Sequence, residues 1–234
     1  MAAKDLVEGS DGRLRCPWAG SQPDYLAYHD LEWGRPVHDE LRLFEKLCLE
    51  GFQAGLSWYT ILRKRDAFRR AFAGFEPVRV AAFGEADVDR LLADAGIVRS
   101  RRKIEATIAN ARALLALGDT TLERLVWTHA PARHRAPRRS GQVPASIPES
   151  TALAVELKRR GFRMVGATTV YAMMQACGVV NDHLTGCFVR DELDATPRPP
   201  SRLSSRGPGP DSGSPGGPGP PLGYLGQGIW GERW

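Results

Sequence analysis

The sequence lacks any long hydrophobic run, and it is poor in cysteine. No stretch approaches the roughly 18 consecutive apolar residues that a membrane-spanning helix needs, and residues 1–13 lack the apolar core of a signal peptide. Four cysteines in a chain of 234 residues are too few for a disulfide framework, so thiol or metal-binding roles are considered first. These absences favour a cytoplasmic protein with no membrane contact.

Alternation of apolar and polar residues, the mark of a half-buried strand, is also scarce, and helical periodicity takes its place. In one segment, apolar residues recur at three- and four-residue spacing, at Leu41, Phe44, Leu47 and Cys48. The helix boundaries that the sequence predicts are marked by Asp39, Pro77, Asp87, Ser150 or Thr151, and Gly161. We therefore predict an all-α fold.

The C-terminal part of the chain differs in composition from the rest. About three quarters of residues 197–223 are Pro, Gly or Ser, and such a segment cannot bury enough apolar surface to offset chain entropy. Trp230 and Trp234 beyond it form either a short docking motif or a frayed end without function. We predict three regions: a flexible extension over residues 1–15, one helical domain over 16–190, and a disordered tail over 191–234.

A helical hairpin with a basic rim is predicted over residues 91–104. Its turn centres on Gly96, and the backbone N–H groups that open the second helix favour a phosphate there. The neighbouring basic residues are Arg99, Arg101, Arg102 and Lys103. The net charge of +5 also favours a polyanionic partner, without identifying one. The alternative is an ordinary pair of helices with a solvated basic rim.

Two cysteines and two histidines form a candidate metal site. Cys16 and His29 lie at the start of the predicted domain, and His183 and Cys187 lie near its end. Together they make the Cys2His2 set that a tetrahedral zinc ion prefers. One zinc held by four protein ligands would be structural, and it would close a loop of about 170 residues. The alternative is a pair of core thiols and two unrelated histidines.

Aromatic residues crowd the N-terminal part of the predicted domain. They are Trp18, Tyr25, Tyr28, Trp33 and Trp58. An enzyme that acts on a nucleic-acid base must extrude it from the duplex, and rings can hold such a base by stacking, at about 1–3 kcal/mol per base. The same rings can equally pack a small helical core.

Six segments of the sequence carry a family resemblance. They are CPW at 16–18, YLAYHDLEWG at 25–34, LEGFQAGLSW at 49–58, DAGIVR at 94–99, KRRGFRMVG at 158–166 and QACGVVNDH at 175–183. Together they closely resemble the 3-methyladenine DNA glycosylase I family, in the family's order. The departures are the N-terminal extension, an arginine-rich loop near Arg135 and the Pro/Gly tail.

The resemblance implies a divergent helix–hairpin–helix glycosylase fold, with the Gly96 hairpin as the DNA anchor. It places the ligands of one structural zinc ion on Cys16, His29, His183 and Cys187. It places the pocket aromatics on Trp18, Tyr25, Tyr28 and Trp58, and the base-recognising carboxylate on Glu50. Without the resemblance, a solvated helix charge is the alternative for Glu50.

The resemblance also implies an activity, which is the removal of 3-methyladenine from double-stranded DNA by hydrolysis of the N-glycosidic bond. We expect a monomer in the bacterial cytosol or nucleoid. No lysine is evidently placed to form a Schiff base, so strand cleavage is not expected. Asp182 is either a second carboxylate near the sugar or a support for the adjacent His183. The rival functions are a non-catalytic DNA-binding module and a zinc hydrolase.

Overall fold

The computed structural model describes residues 5–195, and this part of the chain is mostly helical, as predicted. The α-helices are α1 (Pro23–Leu31), α2 (Glu40–Gln53), α3 (Trp58–Ala71), α4 (Pro77–Ala81), α5 (Glu85–Ala93), α6 (Arg101–Leu115), α7 (Leu122–Thr128), α8 (Pro148–Arg159), α9 (Ala167–Ala176) and α10 (Phe188–Ala195). Short 3-10 helices cover Pro17–Ala19, Ala73–Phe75 and Ser140–Gln142. Within 5–195, no helix has both the length and the apolar character needed to cross a bilayer.

The helix boundaries follow local capping chemistry. Asp39 caps α2 by accepting a hydrogen bond from the Arg42 N–H at 2.8 Å, Pro77 opens α4, and Gly161 follows α8 with a φ of +92°, all as predicted. Leu41, predicted on the buried face of α2, is instead 38% exposed.

Two predicted helix starts were wrong by a few residues. Asp87 and Ser150 do not precede their helices but lie at the third helical position. From there each side chain accepts a hydrogen bond from the residue before the helix: Asp87 from the Gly84 N–H at 3.2 Å, and Ser150 from the Ile147 N–H at 3.0 Å.

Helix α2 is central to the fold, because it packs against α3, α6, α7 and α9. Its inner face contributes Leu43, Phe44 and Leu47 to the main core, each at most 1% exposed. The same burial extends to the last turns of the helix, where Glu50 lies. The fold therefore carries this carboxylate into the interior on a well-packed helix.

A second, smaller cluster joins the two ends of the domain. Its buried members are Cys16, Leu184, Cys187 and Val189. A two-stranded antiparallel ribbon, β1 (Val7–Glu8) with β2 (Leu14–Arg15), leads into Cys16, in a region predicted only as a flexible extension. Strands of two residues are too short to show alternation, so the sequence does not predict them.

The tail prediction falls almost wholly outside the described residues. Helix α10 continues to Ala195, five residues past the predicted end of the domain. The Pro/Gly/Ser-rich segment, Trp230 and Trp234 lie beyond the part of the chain that the structure describes. The three-region division stays a prediction.

Candidate active site and metal centre

A cavity of about 270 Å³ lies among α1, α2, α3 and α9, with the loop before α8 at its edge. The side chains lining it are those of Trp18, Tyr25, Tyr28, Trp33, Glu50, Gln53, Trp58, Ser140, Val143, Ala172, Gln175, Asp182 and Leu184. The structure thus brings Glu50 and all four predicted pocket aromatics to one concave site. Trp33 lies there as well.

Glu50 is a buried carboxylate at this site, not the solvated helix charge that the sequence left open. Its side chain is only 5% exposed. Burial raises its pKa above the usual range, because desolvation penalises the charged form, while the ammonium of Lys46 opposes this rise. The Lys46 Nζ lies 3.4 Å from the Glu50 Oε1.

The rings form a continuous aromatic wall. Trp18 and Tyr25 have centroids 5.4 Å apart, Tyr25 stacks on Tyr28 at 6.5 Å, and Tyr28 lies 5.4 Å from Trp58. The indole N–H of Trp58 is buried and has no hydrogen-bond partner among the described residues. Buried polar groups are nearly always satisfied, so this unpartnered donor is an exception beside the cavity.

Asp182 is the second carboxylate that lines the cavity. Its Oδ1 lies 2.6 Å from the His134 Nε2, and its Oδ2 accepts hydrogen bonds from the Tyr171 hydroxyl at 2.5 Å and the Gln175 amide at 2.7 Å. Burial acts to raise the pKa of Asp182, but these three hydrogen bonds outweigh it and hold the pKa below its usual value. A charged carboxylate is therefore fixed at the cavity wall.

Sequence reasoning missed the partners of both carboxylates. Lys46 stands four residues before Glu50 on a helix, a spacing that could have suggested the pair, although such pairs are usually solvated. His134 belongs to the arginine-rich loop, which lies outside the segments that resemble the family. No local signal links it to Asp182, 48 residues away.

The predicted hairpin is present as α5, a turn and α6. The Gly96 N–H donates to the Asp94 Oδ1 at 2.7 Å, and Lys64 donates to the Gly96 carbonyl at 3.1 Å. A Cβ atom on Gly96 would lie 2.9 Å from the Asp94 Oδ1 and 3.1 Å from the Ala67 Cβ. Glycine therefore allows the turn to pack closely against α3.

The basic residues of the hairpin differ in their surroundings. Arg99 and Arg102 are exposed, while Arg101 pairs with Glu85 and Asp89 at 3.0 Å each. Lys103 donates to the carbonyls of residues 52 and 54 at 2.8 and 2.6 Å, which caps the C-terminal end of α2. The hairpin is thereby fastened to the helix that carries Glu50.

The four predicted metal ligands form one buried cluster. The ligand atoms of Cys16, His29, His183 and Cys187 all lie within 4.8 Å of one another. The Sγ–N distances are 3.7 Å from Cys16 to His183, 3.6 Å from Cys187 to His29 and 3.6 Å from Cys187 to His183. Tetrahedral bonds of about 2.3 Å to sulfur and 2.0–2.1 Å to nitrogen separate such ligands by about 3.6 Å. The cluster could therefore hold a metal ion.

Neighbouring groups orient both histidines of the cluster. The His29 Nδ1 lies 2.8 Å from the Asp30 Oδ1, and Arg15 holds that carboxylate in turn at 2.8 Å. The His183 Nε2 lies 3.0 Å from the Trp33 carbonyl. Each ring thus uses one nitrogen for support and turns the other toward the sulfurs, as metal-binding histidines do. The remaining cysteines, Cys48 and Cys177, are buried in the main core.

Gly34 makes the close approach at His183 possible. It has a φ of +79°, and a Cβ atom there would lie 2.9 Å from the His183 ring. A side chain at this position would therefore push the imidazole out of the cluster. In the sequence, Gly34 stands out only as the last residue of the motif at 25–34.

Comparison with known protein families gives one match over most of the described chain. The family model described as methyladenine glycosylase matches residues 18–190. DNA-3-methyladenine glycosylase 1 of Escherichia coli (strain K12) is 51% identical over 179 residues, covering 74% of this chain and 95% of that protein. DNA-3-methyladenine glycosylase of Haemophilus influenzae (strain ATCC 51907 / DSM 11121 / KW20 / Rd) is 44% identical over 178 residues, with 74% and 96% covered.

The fold comparison agrees with the sequence comparison. A crystal structure of 3-methyladenine DNA glycosylase I superposes with a TM-score of 0.72 at 50% identity, covering 74% of this chain and 98% of that chain. Both kinds of similarity span nearly the whole length of the relatives, so the chain shares their fold.

Proposed function

This chain belongs to the methyladenine glycosylase family, and from that premise we propose that it excises 3-methyladenine from alkylated double-stranded DNA. The reaction is hydrolysis of the N-glycosidic bond, which releases the free base and leaves an abasic site. The observation that carries the proposal is a carboxylate, Glu50, buried in a cavity walled by aromatic rings. That environment suits a flat, positively charged base.

Charge explains how the site selects its substrate. Methylation at N3 gives the adenine a positive charge, so the base is already a good leaving group and needs little acid catalysis. An ionised Glu50 accepts hydrogen bonds from the amino edge of the ring and attracts the cation in a region of low dielectric. Neutral adenine gains far less from the same carboxylate, which provides discrimination.

The aromatic wall supplies the remaining recognition. A base extruded from the duplex stacks against the rings of Trp18, Tyr25, Tyr28 and Trp58. Stacking selects flat ligands, and the carboxylate selects those that carry positive charge.

Bond breaking transfers charge from the base to the sugar, and water then attacks the sugar. Asp182, held charged by His134, Tyr171 and Gln175, stabilises the positive sugar from the cavity wall. Lys46 does not line the cavity, and its ammonium is bound to the Tyr28 hydroxyl. A monofunctional mechanism, with no Schiff base and no strand cleavage, follows from this arrangement.

The cysteine–histidine cluster binds one zinc ion in this proposal. Its two sulfurs, two imidazole nitrogens and 3.6–3.7 Å spacing suit tetrahedral zinc. Since the protein supplies all four ligands, no position is left for a reacting water, and the zinc is structural. This argues against the zinc hydrolase that the sequence left as a rival.

DNA is held by the helix–hairpin–helix element in this proposal. The turn at Gly96 presents the N-terminus of α6, where backbone N–H groups favour a phosphate. Arg99 and Arg102 are exposed beside it, and Arg101 and Lys103 are held by protein contacts. A monomeric state and a cytoplasmic location stay predictions.

One assay tests the proposed function directly. Methylated double-stranded DNA is incubated with the protein, and the liberated bases are identified by chromatography. We expect 3-methyladenine in the soluble fraction and alkali-sensitive abasic sites in the DNA. DNA binding with steep salt dependence but no free base would favour the non-catalytic DNA-binding module instead.

Substitution of the exposed hairpin arginines tests the DNA interface. Arg99→Ala and Arg102→Ala are each expected to weaken binding to DNA of any sequence and to reduce the salt slope of log K by about 1. Fluorescence anisotropy between 50 and 200 mM salt measures both quantities. Arg124→Ala on α7, an exposed arginine outside the hairpin and the pocket, is the matched control. Equal salt slopes for all three variants would show that Arg99 and Arg102 do not contact DNA.

A further inference from the structure

Lys46 lies behind the wall of the base pocket and contacts three of its members. Its side chain is 13% exposed, and its Nζ lies 3.4 Å from the Glu50 Oε1. The same ammonium donates to the Tyr28 hydroxyl at 2.5 Å and lies 3.4 Å from the centroid of the Trp58 ring. One buried cation therefore touches the carboxylate and two of the aromatic rings.

The other titratable groups close to Glu50 are phenols, a thiol and a carboxylate, and none of these becomes positively charged. From α1, Tyr25 and Tyr28 are both phenols whose pKa is raised chiefly by burial and further by the Glu50 charge. From the end of α9, the buried Cys177 thiol also has a raised pKa. Asp182 faces the same cavity as a carboxylate.

Within residues 5–195, the ion pair to Glu50 comes from Lys46. Arg65 of α3, the other cation beside Lys46, is paired with Glu32. Burial lowers the pKa of Lys46 and the Glu50 charge opposes this, so each of the two charges supports the other.

A buried carboxylate without a counter-ion tends to take up a proton. In that state Glu50 would neither attract a cationic base nor accept two hydrogen bonds from it. We propose that Lys46 is a positioning residue of the base pocket, which keeps Glu50 ionised in the empty site. This inference rests on the proposed function, since it concerns the same carboxylate.

The contact with Tyr28 adds to this role. The Tyr28 phenol oxygen accepts a hydrogen bond from the Lys46 ammonium, so the phenol's own O–H is free to donate to another group. The ammonium also lies over the Trp58 ring, whose face attracts cations. Lys46 thereby fixes the positions of the carboxylate, a hydroxyl and a ring before any base enters. It does so without lining the cavity.

The test compares Lys46→Met, Lys46→Gln and Lys46→Arg with the wild-type protein. Single-turnover release of 3-methyladenine is measured against pH. Activity requires ionised Glu50, so it falls as the pH drops through the pKa of that group. Removing a cation within 4 Å raises the pKa of Glu50. In Lys46→Met and Lys46→Gln, the acid limb of the pH–activity profile is therefore expected to move up by about 1–3 pH units. Above the shifted limb, activity should return to within about tenfold of wild type.

Lys46→Arg keeps the charge and is expected to return the limb toward its wild-type position. Infrared titration of the carboxyl band measures the same pKa shift without turnover, so it also serves for a variant with little activity. The band is assigned to Glu50 by its absence from a Glu50→Gln control. Unmoved limbs in folded Lys46→Met and Lys46→Gln would overturn the proposal. A limb moved only in Lys46→Met would also overturn it, because it would assign the effect to the Tyr28 hydrogen bond. Failure of the proposed function is distinct, since the wild-type protein would then release no 3-methyladenine.

Discussion

Replacing Glu50 with glutamine should lower the rate of 3-methyladenine release from methylated DNA by about 100-fold or more. Removing one preorganised electrostatic contact at the reacting group has effects of that order in enzymes. The substitution removes the negative charge at a side chain that is 5% exposed, where solvent provides little screening. Single-turnover base release at neutral pH measures the effect.

The fold should survive this substitution, because glutamine keeps the size of the side chain and still accepts a hydrogen bond from Lys46. Affinity for DNA that already contains an abasic site should also be retained, since no base then occupies the pocket. Glu76→Gln, an exposed carboxylate at the start of α4, is the control and should leave the rate unchanged. A folded Glu50→Gln protein with wild-type activity would refute the role assigned to the carboxylate.

Loss of one ligand of the cysteine–histidine cluster should have the largest effect on stability. Joining Cys16 to Cys187 through a metal closes a loop of about 170 residues, which the loop-closure model values at about 5 kcal/mol. Since domains are stable by only about 5–15 kcal/mol, Cys187→Ser is expected to lose much of the unfolding free energy or to fail to fold. Denaturant unfolding with and without a zinc chelator measures this loss.

The matched control is Cys177→Ala, which removes a buried thiol outside the cluster and should cost about 1 kcal/mol. Elemental analysis of the wild-type protein should find one zinc per chain, absent from Cys187→Ser. Activity should fall with chelation only as far as the protein unfolds, as expected of a structural ion. A metal-free wild-type protein, or equal unfolding midpoints for Cys187→Ser and wild type, would contradict the zinc proposal.

The features that the sequence predicted well depend on residues close together in the chain or on long motifs. The cap at Asp39, the start at Pro77 and the glycine after α8 each involve contacts within about four residues. Asp87 and Ser150 show the limit of this reasoning. The same residue types cap a helix from the third helical position and from the position before the helix, so the residue type alone does not distinguish the two.

The residues of the candidate site could be predicted from the sequence, but the contacts that hold them could not. The motifs indicated Glu50 and the rings, and the structure collects them around one cavity. The bond between His134 and Asp182 joins a loop to a residue 48 positions later, and nothing local encodes it. Lysine–glutamate pairs at this spacing usually face solvent, and only tertiary packing buries the pair of Lys46 and Glu50.

The position of α1 has a consequence for how the protein is made. This helix carries Tyr25 and Tyr28 to the pocket, and the His29 that follows them is held against Cys187, 158 residues later. In a chain emerging from the ribosome, the rings that line the cavity are therefore made long before Cys187, the residue that contacts His29. A chain truncated before His183 would retain Glu50 and the rings that line the cavity, but it would lack both residues that contact Cys16 and His29, and α1 would lose its link to the end of the domain.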